Sequence, residues 1–367
     1  MKFMCETKKL CDAVGKVSRA VSSKSNIPAL EGILLEAGKD ELILSGYDLE
    51  LGIIIKLPAR VSAPGKIVLN SKLFFDILVK LSGEGLIYES NDDLHAVIKS
   101  GNAEFNISGI DAVEYPDIPR ILGVETLNIK ADLLASMIDQ TIFAISESDL
   151  KPIHTGTLFE IKKDMFRLVS VDGYRLAIRT EIMKNDEEKS FVVPGKTLTE
   201  LSKFLSEEEG NVSIKLEKKH ILFRTDGMTV VSRLLMGEFL DYEAAITGET
   251  TSTVKVNTRA WRESVTRVGL MVTERLKSPI RCVFEGDLAK LSCQTVIGKA
   301  MDETSIELKG EALTIGFNNK YMLDAVRASG CDMIKIEMST SVAPIKITPL
   351  DSEEFLFLVL PVRLINE

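Results

Sequence analysis

Three segments of this chain repeat one another at a fixed spacing. They are Ser71-Lys72-Leu73-Phe74-Phe75-Asp76, Gly195-Lys196-Thr197-Leu198-Thr199-Glu200 and Asn319-Lys320-Tyr321-Met322-Leu323-Asp324. The basic residue recurs at 72, 196 and 320 and the acidic one at 76, 200 and 324, a period of 124 each time. Asp48 and Asp172 keep the same step, as do Asp117 and Asp241. Three periods nearly fill the 367 residues. A period this long exceeds that of a solenoid repeat and matches an ordinary domain. The chain therefore reads as one domain written three times. The divisions fall at 1–122, 123–248 and 249–367, after Pro119 and near Gly248-Glu249-Thr250-Thr251. Three copies that share no catalytic cluster point to a function of shape.

An apolar fraction of 45% lets each copy bury a core. The longest apolar run, Phe355 to Leu360, is far short of the ~18 residues a membrane span requires. Charge follows Met1-Lys2-Phe3-Met4-Cys5-Glu6 closely, so no secretion signal is read there. Five cysteines without a C-x-x-C pair favour free thiols in a reducing cytoplasm over disulfides or zinc.

Apolar spacing predicts two helices per repeat: 5–21 and 71–81, 130–146 and 196–205, 257–273 and 320–328. Asn257-Thr258 and Ser71 are candidate N-caps. Short apolar runs bounded by Gly38-Lys39-Asp40, Asn91-Asp92-Asp93 and Asp226-Gly227 read as strands in hairpins. The class is α+β with antiparallel sheet. Charge divides unevenly. The six helices in order of their pairs carry +2, +1, −1, +1, +2 and +1, together +6, so a chain of net −9 leaves −15 on strands and loops. Helices sharing one face would give an acidic protein a phosphate-compatible surface.

Chemistry-bearing motifs are sparse. His95, His154 and His220 sit in no H-E-x-x-H or H-x-H pattern, and Gly15-Lys16 and Gly195-Lys196 lack the upstream glycine of a phosphate loop. Ser170 and Ser232 have no G-x-S-x-G context. Asp92-Asp93 and Asp302-Glu303 fall in expected turns. No catalytic residue, metal site or cofactor is predicted. Two segments do stand out: Val171-Asp172-Gly173-Tyr174-Arg175-Leu176-Ala177, and the apolar ending Leu358-Val359-Leu360-Pro361-Val362-Arg363-Leu364.

Those two segments, with the triplication, make the whole chain resemble the bacterial sliding clamps, the beta subunits of DNA polymerase III. The resemblance implies three similar domains, each with two helices on an inner face and antiparallel sheets outside. Two subunits would join head to tail into a six-domain ring around duplex DNA, which accounts for the charge split. It implies a non-enzymatic processivity factor in the cytoplasm. Its expected partners are the polymerase III alpha subunit, the clamp loader, and other clamp-binding polymerases and repair proteins. DNA contacts are implied at Lys24, Lys72, Lys151 and Lys196. A peptide pocket is implied at His154, Val171, Gly173, Tyr174, Arg175, Leu176, Leu240, Tyr321, Val342 and Pro344, continuing through Leu358, Val359, Leu360, Pro361, Val362 and Arg363. Gly173 would leave room for a peptide backbone, and Arg175 and Arg363 would offer donors at the rim. Phe105 and Ile107 of one subunit would face Met271 and Val272 of the other. Val171, Leu240 and His154 depart from the family's common Thr, Pro and Leu, and Ile365-Asn366-Glu367 extend its usual end. The alternatives on the same scaffold are a monomeric peptide-binding module or an enzyme.

Overall fold

In the first repeat, apolar residues at period two build strands Gly32–Ala37, Glu41–Tyr47, Leu51–Pro58 and Gly65–Asn70. The second repeats them as Gly156–Lys162, Met165–Val171, Arg175–Ile182 and Lys189–Pro194, 124 residues on. The computed structural model describes residues 1–123, 125–148, 150–273 and 278–364; Ile365, Asn366 and Glu367 lie outside the described residues. The third repeat keeps the pattern, at a slightly different offset, in Ile280–Glu285, Leu288–Thr295, Gly298–Ser305 and Leu313–Phe317.

Two compact units result. One is Met1–Asp132 with Lys203–Leu234; the other is Leu133–Ser202 with Leu235–Glu367. Each contains a joint between repeats made by a continuous antiparallel sheet. In the first unit Met228–Arg233 pairs with Leu51–Pro58, placing Val230 opposite Ile53, inside an eight-stranded sheet. In the second, Phe355–Val359 pairs with Arg175–Ile182, placing Phe357 opposite Ala177, inside a nine-stranded sheet. Two smaller sheets remain. The first unit has a five-stranded sheet ending at Ala103–Ser108. The second has a four-stranded sheet ending at Gly298–Ser305.

Helices Thr7–Val17 and Ser71–Lys80 pack in the first unit with Leu10, Val14, Phe74 and Leu78 buried. Thr258–Gly269 and Asn319–Ser329 pack in the second around Trp261, Val265, Met322 and Val326. Ala131–Asp139 and Gly195–Leu205 complete the six that the spacing predicts, beside a one-turn helix at Glu243–Ile246.

The first helix of each repeat is shorter than the apolar spacing suggests. Residues 5 and 6 belong to strand Lys2–Glu6, and Ser18–Ala20 and Ile142–Ala144 tighten into 3₁₀ turns. Asn257 caps its helix as expected, accepting from the Ala260 N–H at 3.0 Å. Ser71 does not cap; Asn70 does, from the Leu73 N–H at 3.0 Å, while the Ser71 hydroxyl bonds Ser18 Oγ at 2.9 Å.

Candidate functional site

The Asp-Gly-Tyr-Arg segment forms the turn that leads into strand Arg175–Ile182. Asp172 Oδ1 accepts from the N–H groups of Tyr174 and Arg175 at 2.9 and 3.0 Å, closing the turn. Gly173 sits at φ +91°, where a side chain would be strained, and the space beside it is open. Arg175 then turns inward. Its Nε donates to Asp172 Oδ2 at 2.9 Å and its Nη1 to Asp324 Oδ2 at 2.5 Å. The guanidinium lies 4.7 Å from the Tyr321 ring and 5.6 Å from Phe143. It is 7% exposed, so it is a buried brace and not the rim donor expected from sequence. Tyr174, 62% exposed, stacks on Tyr321 with ring centroids 6.0 Å apart.

The chain's ending runs beside this turn. Leu358 pairs with Leu176, the Leu360 N–H donates to the Tyr174 carbonyl at 2.8 Å, and the Val362 N–H donates to the Gly316 carbonyl at 2.8 Å. The tail thereby walls a groove of about 1100 Å³ with Tyr174, Tyr321, Leu360, Pro361, Val362 and Arg363 on its lining. Val272 lines the same groove.

His154 and Leu240 stand in a second basin, about 490 Å³, with Ile153, Met236, Phe239 and Lys151. His154 meets Phe239 edge-on at 5.3 Å, and burial, with Lys151 nearby, pushes its pKa below 6.5. Val171, Leu176 and Leu358 lie in the buried cluster that includes Ile153. Val359 is fully buried and lines neither basin. Val342 is exposed and lines neither, while Pro344 borders a separate small pit beside Ala245 and Gly248. The sequence-derived set thus divides into two basins, a buried floor and two residues apart from them. Asp172, Asp324, Phe143 and Phe239 were missed as site residues. Asp172 and Asp324 had a signal, since both belong to the 124-residue pattern.

Lys24 and Lys72 are exposed in the first unit, on the loop before Pro28 and in the first turn of Ser71–Lys80. Lys151 and Lys196 are exposed in the second, before the 3₁₀ turn Pro152–Thr155 and at the start of Gly195–Leu205. Lys9, Arg259, Arg267 and Lys320 are engaged by Glu6, Glu263, Asp302 and Glu147. Among the described residues Lys8, Lys24, Lys72 and Arg262 form no ion pair and present their charge to solvent. All five thiols are free, and burial pushes that of Cys5 up to about 12. Among the described residues no three His, Cys, Asp or Glu side chains are grouped to hold a metal. None of the described helices is long and apolar enough to cross a membrane.

Three family models match in sequence order. They describe the N-terminal, central and C-terminal domains of the DNA polymerase III beta subunit, at residues 1–119, 128–241 and 244–363. The beta sliding clamp of Bacillus subtilis is 32% identical over 99% of this chain and 100% of its own length. The crystal structure of the Bacillus subtilis DNA polymerase sliding clamp superposes with a TM-score of 0.96 at 31% identity, covering both chains fully. A putative DNA polymerase III beta subunit from Eubacterium rectale gives 0.93 at 34% identity, over 99% of both chains. The Pseudomonas aeruginosa sliding clamp bound to griselimycin gives 0.94 at 26%, over 99% of this chain and 100% of that one.

Proposed function

The chain belongs to the DNA polymerase III beta subunit family, and we propose that it acts as a homodimeric ring that encircles duplex DNA and tethers polymerases by short peptides. It is a processivity factor of three clamp domains, with working divisions at 1–122, 123–248 and 249–367. It carries out no catalysis of its own. It works in the cytoplasm with the polymerase III alpha subunit, the clamp loader and other clamp-binding polymerases and repair proteins.

The observation that carries the ring is a pair of leftover edges. Both joints unite the strand type of Met228–Arg233 and Phe355–Val359 with that of Leu51–Pro58 and Arg175–Ile182. Among the described residues the first repeat keeps a copy of the former with one open edge, Ala103–Ser108, and the third a copy of the latter with one open edge, Gly298–Ser305. Ala103–Ser108 has no buried residue, whereas its paired counterparts are mostly buried. A bare strand edge invites strand pairing, and a second copy supplies its complement. Met271 stands beside Gly298, its sulfur 3.4 Å from where a Cβ would lie, which supports the expected meeting with Phe105 and Ile107.

A clamp must slide, so its cations would meet phosphates without reading bases. Lys24, Lys72, Lys151 and Lys196 serve that contact. The Tyr174–Tyr321 groove and the His154–Leu240 basin take the apolar anchors of a peptide of the Gln-x-x-Leu-Phe kind. Rebinding of a tethered polymerase then becomes intramolecular, which turns modest affinity into long synthesis runs. The test is primer extension on a singly primed circle. Product length should rise when the full chain is loaded and should not rise with a chain lacking residues 360–367. Equal stimulation by both would overturn the peptide assignment, and no stimulation by the full chain would overturn the function.

A further inference from the structure

The joint between the first two repeats holds a groove of about 510 Å³, between residues 115–122 and the face of the eight-stranded sheet that bears Ile43, Ser45 and Ile54. Leu34, Ile43 and Ile54, each half-buried, form its apolar floor, while Leu222 and Val231 of the second repeat lie buried in a cluster with Ile121, Ile118 packing against it. The matching place in the second repeat, 124 residues on, is plugged. There Tyr242 is 3% exposed, its hydroxyl bonds Glu160, and Arg167 Nη1 donates to that hydroxyl at 3.0 Å. In the first repeat the counterpart of Tyr242 is Ile118, and that of Arg167 is Ile43. Ile118 packs against Leu222 and Val231 but is shorter, has no polar tip and can join no such bridge, so space remains beside Leu34, Ile43 and Ile54.

The groove's lining carries Lys56, Lys66, Arg120 and Arg224 against Glu36 and Asp117, a net +2 on an acidic chain. Arg120 and Arg224 are exposed on its lining and, among the described residues, form no ion pair. Lys56 and Lys66 are engaged by Glu41 and Glu36. Two unengaged guanidiniums beside an apolar slot, on a chain of net −9, select a ligand with carboxylates flanking an aliphatic side chain.

We propose that this groove is a second docking site, distinct from the Tyr174 groove, for an extended acidic peptide with an aliphatic anchor. The aliphatic side chain lies on Leu34, Ile43 and Ile54, and the carboxylates reach Arg120 and Arg224. Partners with two such segments could then hold the protein at both joints.

The probe is a fluorescein-labelled Asp-Leu-Ile-Asp-Glu peptide, followed by anisotropy on the full chain with saturating unlabelled Gln-x-x-Leu-Phe peptide present. Binding should persist, because the competitor occupies the other groove. The double variant Arg120→Glu/Arg224→Glu, altered only at the surface, should weaken it by about tenfold or more, the equivalent of at least one lost charge-assisted contact. Ile118→Tyr, which restores the bulk of the plug, should block it. Displacement by the competitor would place the peptide in the Tyr174 groove, and insensitivity to both variants would place it elsewhere; either result overturns the proposal. Gln-x-x-Leu-Phe binding in the variants, measured alongside, shows separately whether the Tyr174 groove works.

Discussion

Arg175 shows how one side chain can organise a groove from behind its lining. Its guanidinium joins the Tyr174 turn, through Asp172, to the helix that carries Tyr321, through Asp324. Removing this buried cation leaves Asp172 only its backbone donors and Asp324 only a looser pair with Arg327 at 3.8 Å. Arg175→Ala should therefore lose on the order of 3 kcal/mol in denaturant unfolding, together with peptide affinity. Asp324→Asn keeps the shape and one acceptor, so it should weaken peptide binding with a smaller stability loss. Unchanged peptide affinity in both variants would reduce the brace to a structural feature. His154 supplies a pH signature. Burial first, and Lys151 second, hold its pKa below 6.5. The folded value lies below the unfolded one, so the stability it contributes is complete above pH 6.5 and is lost as pH falls through the folded value. An NMR titration should place His154 below 6.5, and Lys151→Ala should recover only part of the shift. Residue types in this site were legible in the sequence, but burial was not. An Arg after a turn-forming Asp-Gly reads equally as a rim donor or a core brace, and only Asp324, 149 residues away, decides between them.

At the scale of elements, the repeat shows the same turn solved twice with different residues. Asp48 Oδ1 accepts from the N–H groups of Glu50 and Leu51 at 3.0 and 2.7 Å, as Asp172 does 124 residues on. The residue after each aspartate has positive φ: Gly173 at +91° and Leu49 at +75°. Glycine adopts that conformation freely and leucine does not. Leu49→Gly should thus relieve strain and raise stability, by up to about 1 kcal/mol before the entropy of the unfolded glycine is subtracted. Gly173→Ala should cost about 1 kcal/mol despite the open space beside it. Thermal unfolding of the two variants checks the opposite signs. The helix starts follow a similar comparison. Asn70 and Asn318 cap the second helices of the first and third repeats, and Pro194 stands at that place in the middle one. Asn318→Ala should cost about 1 kcal/mol. The period made the six helices legible, since apolar spacing survives divergence of the polar residues. Their ends were less so, because a 3₁₀ turn such as Ser18–Ala20 continues the helical spacing while its hydrogen bonds tighten.

For the whole molecule, the joints predict the register of the subunit interface as well as its existence. Inward-facing Val230 opposes Ile53 in one joint and Phe357 opposes Ala177 in the other. Sheet pairing and burial match Phe105 to Val230, since both face buried partners on the adjoining strand, Ile98 and Phe223. The same reasoning matches Ala300 to Ala177, opposite Cys293 and Ser170. Two copies joined by the rule of the joints would pair antiparallel with Phe105 opposite Ala300, Glu104 opposite Met301 and Ile107 opposite Gly298. That register carries Ile107 to the position beside Met271, in accord with the residues the family resemblance implies. It also covers Met301, which is 70% exposed on the single chain. A one-residue slip would turn Phe105 and Ile107 away from Met271, so the pairing is strongly specified. Phe105→Ala with Ile107→Ala should shift sedimentation from dimer to monomer at micromolar concentration. Cysteines at Glu104 and Met301 should form a reducible dimer on oxidation, because directly opposed Cβ atoms in an antiparallel pair approach to about 5 Å. Cysteines at Glu104 and Lys299 would be two positions out of step and should couple slowly. Faster coupling of the second pair would overturn the register while leaving the ring. A chain that sediments as a monomer, and couples through neither pair, would remove the ring itself.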